Sequence, residues 1–189
     1  MKNTQNFLNK IENKLVNEKL LLSSKFIETN KFNIAINILE DLDKKFSEIP
    51  EVIYNFALSY YHEGIRFFNN QHYQISLQYL KNAELYFEKI KNKNFLFDVY
   101  TKLSVCNRIE NNYFETLKYH KKLYNLNKKS NFTLSLLIYS KQKLADWENI
   151  ENLFEKAKIK LDEKASSLTP FSALLPVSYT HLTLPTRCL

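Results

Sequence analysis

The side chains that could do chemistry are few and scattered. Four histidines (His62, His72, His120 and His181) and two cysteines (Cys106 and Cys188) are the candidates for metal ligation or nucleophilic attack. A metal site would need several of them, or one with carboxylates, at a spacing that shares a helix face. None pairs with a cysteine or carboxylate in that way. No nucleophile motif, P-loop or dinucleotide fingerprint is present. His120 stands where a packing residue is expected, and His72 borders a turn. Cys106 sits in an apolar helical context and reads as a small core residue. Two cysteines give no disulfide framework. No catalytic residue, no metal and no cofactor is therefore expected in this chain.

The elements around these residues follow from composition. The 189 residues are 44% apolar and 25% charged, with one glycine and four prolines. So little Gly and Pro argues against tight sheet turns and flexible linkers, and favours long helices joined by short polar turns. The skew toward Lys, Asn, Ile, Tyr, Phe and Leu fits an AT-rich coding bias, and a net charge of +7 then says little about partners. The densest basic run is Lys118, Lys121, Lys122, Lys128 and Lys129. It reads either as a nucleic-acid surface or as a solvated helix face. It lacks arginine, and acidic runs such as Glu40, Asp41 and Asp43 occur elsewhere, so the solvated face is the expectation and nucleic acid is not an expected partner. The N-terminus has no secretory apolar region. The longest apolar run, Leu134 to Tyr139, is far too short to span a bilayer. No membrane contact is expected, and a cytoplasmic location is the default.

Repeats organise the chain. Three polar turns look alike: Thr29-Asn30-Lys31, Asn69-Asn70-Gln71 and Glu110-Asn111-Asn112. A weaker fourth is Lys143-Leu144-Ala145-Asp146. An aromatic follows each within two residues: Phe32, Tyr73, Tyr113 and Trp147. Steps of 3, 7 and 10 from them reach Ala35, Leu39 and Leu42; Ser76, Leu80 and Ala83; Thr116, His120 and Leu123; and Ile150, Phe154 and Ala157. These offsets share one face of a helix. The first step is mostly small and lets a neighbouring helix approach; the large ones fill the space beside it. The aromatics are 41, 40 and 34 residues apart. Helices are expected before the turns, at about 5–28, 51–68, 95–109 and 132–143, with Pro50 and Glu51 suited to a first turn. Ser130 or Asn131 can cap the last of these.

The pattern resembles the tetratricopeptide repeat, a helix-turn-helix unit of 34 residues. Ala35, Ser76, Thr116 and Ile150 match its small position 20. Ser23, Gly64 and Ser104 match small position 8, where the fourth unit carries Ile138. The expected fold is all-α: about 3.5–4 helix pairs stacked as a right-handed solenoid over residues 1–161. The first helices of the pairs would line a concave groove for a protein or peptide partner. The repeat aromatics are expected in the core. Tyr60, Tyr61, Phe67 and Phe68 are more than one helix face can bury, so some are expected toward the groove.

Residues 145–175 carry a narrower resemblance. Asp146 and Trp147, a helix through Leu153, Phe154, Ala157 and Leu161, then Pro170, Phe171, Leu174 and Leu175 look like the junction of the SPINDLY-type and O-linked N-acetylglucosamine transferase family. There a last repeat with an Asp-Trp pair leads through a Pro-containing segment into the catalytic domain. The resemblance implies that residues 162–175 lead toward a missing downstream domain. The parent would transfer a sugar from a nucleotide sugar to Ser or Thr of proteins, with the repeats holding the acceptor. It places no catalytic residue in this chain. Two departures stand out: Phe171 occupies the place of a functional histidine of some members, and Leu21, His62, Lys102 and Leu136 occupy repeat position 6, where some members carry asparagine. The alternatives are a free-standing tetratricopeptide scaffold without enzymatic activity, or a repeat region joined to a different enzyme, such as a sulfotransferase.

After Leu175 the composition changes abruptly. Pro176 to Leu189 has no Lys, Asn or acidic residue. Val177 to Thr186 resembles a translated sequencing adapter, so 176–189 is expected to be a non-native tail, and His181 and Cys188 then carry no meaning. A repeat stack without a polar cap would expose apolar surface at its C-terminal end, and self-association there is expected.

Overall fold

The computed structural model describes residues 2–46 and 49–162. They form eight helices: α1 (Lys2–Glu28), α2 (Phe32–Phe46), α3 (Pro50–Asn69), α4 (Tyr73–Lys89), α5 (Lys93–Ile109), α6 (Tyr113–Leu126), α7 (Asn131–Lys143) and α8 (Ile150–Asp162). No strand occurs among the described residues. The fold is all-α and built from successive tetratricopeptide-like helix pairs. The expectations for Pro170, Phe171, Leu174, Leu175 and the tail fall outside the described residues.

Phe32, Tyr73 and Tyr113 are the first residues of α2, α4 and α6. The long early spacings come from longer helices. α3 has 20 residues and α4 and α5 have 17 each, against 14 and 13 in α6 and α7. Pro50 opens α3, where a missing N–H costs nothing, and Glu51 lies in the first turn. Ser130 rather than Asn131 caps α7, its Oγ accepting from the Thr133 N–H at 3.4 Å. Asn112 caps α6 likewise, its Oδ1 accepting from the Glu115 N–H at 3.3 Å.

Five helices end in one device. A residue with left-handed backbone follows the helix: Asn30 (φ 58), Gln71 (φ 62), Lys91 (φ 53), Asn111 (φ 58) and Ala145 (φ 53). The next N–H then reaches back to the carbonyl five residues earlier. These bonds are Lys31 to Phe26 (2.8 Å), His72 to Phe67 (2.9 Å), Asn92 to Phe87 (3.1 Å), Asn112 to Asn107 (2.8 Å) and Asp146 to Lys141 (2.8 Å). This is the Schellman closure that usually employs glycine. Here it is made without one, and Gln71, Lys91 and Ala145 pay about 1 kcal/mol or more each for the conformation.

The chain divides into two compact units, Met1–Cys106 and Asn107–Leu189. In the first, Val16 of α1, Ile36, Leu39 and Leu42 of α2, and Val52 and Phe56 of α3 form one buried cluster. At the α3–α4 crossing Gly64 faces Leu80. A Cβ there would stand 2.8 Å from Leu80 Cγ and 2.9 Å from Leu80 Cδ2. The Ser76 hydroxyl donates to the Gly64 carbonyl at 2.9 Å, and the Cys106 sulfur lies 3.8 Å from Ser76 Oγ. Leu80 is wholly buried and cannot swing away. Gly64→Ala is therefore expected to destabilise the chain by about 2 kcal/mol through overpacking, outweighing the about 1 kcal/mol that alanine gains in a helix. A urea midpoint equal to or above wild type would contradict this, and Gly64→Ala with Leu80→Ala should cost less than the sum of the singles.

In the second unit, α7 lies between α6 and α8. Leu117 of α6, Leu134, Leu137 and Ile138 of α7, and Leu153 and Ala157 of α8 form its core, with Tyr124, Leu144 and Phe154 packed against it. Because α7 has a neighbour on two sides, its small polar residues Thr133, Ser135 and Ser140 are buried as well.

Candidate functional site

In the first unit α1, α3 and α5 lie side by side as one layer. The Asn55 amide of α3 donates to Ser23 Oγ (3.4 Å) and Ser24 Oγ (3.3 Å) of α1. Tyr61 of α3 donates to the Asp98 carboxylate of α5 at 2.8 Å. The Lys102 ammonium of α5 sits 4.9 Å over the Phe68 ring. Burial and the Asp98 carboxylate both push the Tyr61 hydroxyl up, so it remains a neutral donor. Position 6 of the repeats is occupied on this layer by Leu21, which is 61% exposed, by His62 and by Lys102. His62 stacks on Phe32 with centroids 5.2 Å apart, and burial pushes its pKa down. The layer thus offers an apolar side chain, a cation, a carboxylate and aromatic edges. Among its described residues it holds no activated nucleophile or paired acid and base.

The four crowded aromatics of α3 divide between two directions. Tyr60 stacks with Phe56 (5.6 Å) and Tyr86 (5.9 Å), and Phe67 stacks on Tyr79 (5.4 Å). Tyr61 meets Phe87 and Phe95 edge-on, and Phe68 meets Tyr73 edge-on. All four are half-buried rather than fully exposed.

In the same unit the second helices α2 and α4 form the other layer, joined by a 3.4 Å hydrogen bond from Tyr79 of α4 to Asn33 Oδ1 of α2. Between them lies a cleft of about 420 Å³ lined by Asn33, Asn37 and Glu40 of α2 and by Gln78, Tyr79 and Asn82 of α4, with Tyr60 and Ile36 deeper in. Sequence reasoning passed over it. The signal was there: amide-bearing residues at i, i+4 on both helices, away from the apolar face.

Among the repeat residues, Ala35, Leu39, Ser76 and Leu80 are fully enclosed, and Phe32, Ser104, Thr116 and Ile150 are buried. Tyr73, Tyr113 and Phe154 are half-buried. Trp147 requires a correction as a core aromatic. It lies three residues before α8 and keeps 49% of its surface exposed. The reason is local: Asn149 takes left-handed backbone (φ 55) and Asp146 Oδ1 accepts from the Glu148 N–H at 3.2 Å, so the chain turns again before helix resumes at Ile150.

Two polar features mark the second unit. The Lys141 ammonium, with a side chain 6% exposed, pairs with Asp146 Oδ2 at 2.7 Å, and Lys121 approaches the same oxygen at 3.7 Å. The Lys141 hydrogen bond holds the Asp146 carboxyl below the usual carboxylate range. His120 is buried and hydrogen-bonds Ser140 Oγ through Nδ1. Burial pushes its pKa down to about 4, opposed by a hydrogen bond to the Leu136 backbone and assisted by the nearby Arg108 charge. The basic run of α6 is partly neutralised: Lys118 pairs with Glu115 at 3.3 Å and Lys121 with Asp146. Among the described residues no group of His, Cys, Asp and Glu could hold a metal ion, and no helix is long and apolar enough to cross a membrane.

No protein-family model and no curated protein matches the chain. Solved structures that resemble it include a crystal structure of MamA, at 16% identity over 76% of this chain and 96% of that one with a TM-score of 0.45. A MamA mutant resembles it at 19% identity over 80% of this chain and 78% of that one, with a TM-score of 0.43.

Proposed function

We propose that the chain is a protein-binding helical-repeat module whose contact face in the first unit is the layer of α1, α3 and α5. The observation that supports this is Leu21, exposed on a layer that also carries Phe68, Lys102 and Asp98. A layer that carries an exposed apolar side chain on one helix and charges of both signs on another suits a short peptide or partner helix. Panning a random dodecamer display library on the full chain tests it. Clones should enrich on wild type, and Leu21→Asp with Lys102→Glu should reduce their recovery about tenfold while leaving far-UV circular dichroism unchanged. Equal recovery on the variant would reject this face.

A narrower reading, the acceptor-holding arm of a protein O-glycosyltransferase, rests on the resemblance at Asp146, Trp147, Pro170, Phe171, Leu174 and Leu175. Asp146 has a local task in any case, neutralising Lys141 and bonding the Glu148 N–H. Sequencing the locus past the codon for Leu175 separates the readings. About 300 further residues forming two nucleotide-sugar-type halves would support the transferase, and a stop within about 20 residues would end it.

A further inference from the structure

We infer that the cleft between α2 and α4 is a second binding site, which takes an extended polypeptide segment carrying a basic side chain and reads it through its backbone. The site lies on the layer of second helices and is separate from the face proposed above. Three features lead to this ligand.

The first is chemistry. Asn37, Gln78 and Asn82 are exposed carboxamides that make no side-chain hydrogen bond among the described residues, and the Asn33 amide nitrogen stays free when its oxygen accepts from Tyr79. A carboxamide carries a donor and an acceptor side by side, the complement of a peptide group's C=O and N–H.

The second is spacing. Asn33 and Asn37 on α2, and Gln78 and Asn82 on α4, are each four residues apart, a rise of about 6 Å. An extended strand repeats every two residues, at about 6.7 Å. Amides so placed can address alternate peptide groups of one strand laid along the cleft. A cleft of about 420 Å³ is the size of a few residues, not of a folded domain.

The third is charge and ring availability. Glu40 is the charged side chain of the lining, so a lysine or arginine of the ligand would be favoured. An oligosaccharide would want an open aromatic face to stack on. Tyr60 is already stacked with Phe56 and Tyr86, and Tyr79 with Phe67, which favours peptide over sugar.

The test uses the full chain with the first-helix face silenced by Leu21→Asp and Lys102→Glu, so that failure of either site is seen separately. A random dodecamer library is panned on this protein and on the same protein with Asn37→Ala and Asn82→Ala. Clones rich in Lys or Arg should enrich on the former. A fluorescein-labelled copy of the leading clone should bind about tenfold more weakly to the Asn37→Ala, Asn82→Ala protein. N-methylation of alternate backbone nitrogens should weaken it comparably, and Glu40→Gln should weaken basic clones while flattening their salt dependence. No enrichment in this background would overturn the inference. So would undiminished binding of the N-methylated peptide, or maltotriose in place of peptide shifting the amide resonances of Asn37 and Asn82. Retained helicity of the variants, whose substituted residues are exposed, keeps each outcome interpretable.

Discussion

Asp146→Ala is expected to lower the stability of the second unit by about 3 kcal/mol, a large effect for a residue in a surface turn. The carboxylate itself is only partly covered, but its partner is not: the Lys141 side chain is 6% exposed and its ammonium meets Asp146 Oδ2 at 2.7 Å. Removing the acid leaves a buried ammonium without a counter-charge, and the loss of the 3.2 Å bond to the Glu148 N–H loosens the turn into α8. Lys141→Met added to Asp146→Ala should recover much of the loss, because the stem packs and the stranded charge is gone. Chemical unfolding followed by circular dichroism measures both. A cost below about 0.5 kcal/mol, the range of ordinary surface substitutions, would deny Asp146 this role. The folded carboxyl is held below its unfolded value by Lys141. Its contribution is therefore present above the unfolded pKa, near pH 4, and is lost as the pH falls below that.

Lowering the pH from 7 to 4 should cost about 3 kcal/mol through His120 alone. Its pKa falls from 6.5 to about 4 on folding, chiefly because burial disfavours the imidazolium. The folded state then binds fewer protons than the unfolded chain, so the stability is fully present above pH 6.5. It drains away as the unfolded histidine protonates, and it is exhausted near pH 4, just where the Asp146 loss begins. His62 shifts in the same direction from burial, so the informative quantity is a difference. Urea midpoints of wild type and His120→Gln, taken between pH 7 and 4, should diverge, with the wild type much the steeper. Parallel curves would show that His120 carries no pH-linked stability.

Much of the repeat architecture was legible because it depends on short-range chemistry. The aromatics Phe32, Tyr73 and Tyr113 mark helix starts since each follows a polar turn. The steps to Ala35, Ser76 and Thr116 fall on one face since an α-helix turns every 3.6 residues. Gly64 could be placed at a crossing because only a missing Cβ lets Leu80 come so near. Two turns were not legible, although they too are local. Trp147 follows a turn as the other aromatics do, yet it stays half exposed, because Asn149 makes a second left-handed turn that no side-chain periodicity announces. The Ile90-Lys91-Asn92 closure between α4 and α5 was hidden for a related reason: its left-handed residue is a lysine where glycine or asparagine would signal the turn.

The candidate surfaces divide in the same way. Leu21, His62 and Lys102 could be assigned to one repeat position by counting alone. That Lys102 rests on Phe68, or that Tyr61 donates to Asp98, required α3 and α5 to be brought together. The amides of α2 and α4 lie away from the apolar face of each helix, and only their meeting across Tyr60 makes a cleft of them. By itself, then, the sequence determined the helix pairs, their register and the small residues at the crossings, because those are set by local turns and by one-face periodicity. Tertiary structure decided which charges are buried, as with Lys141 and Asp146, and which polar residues converge. Burial and convergence are properties of contacts between residues tens of positions apart, and no local pattern encodes them.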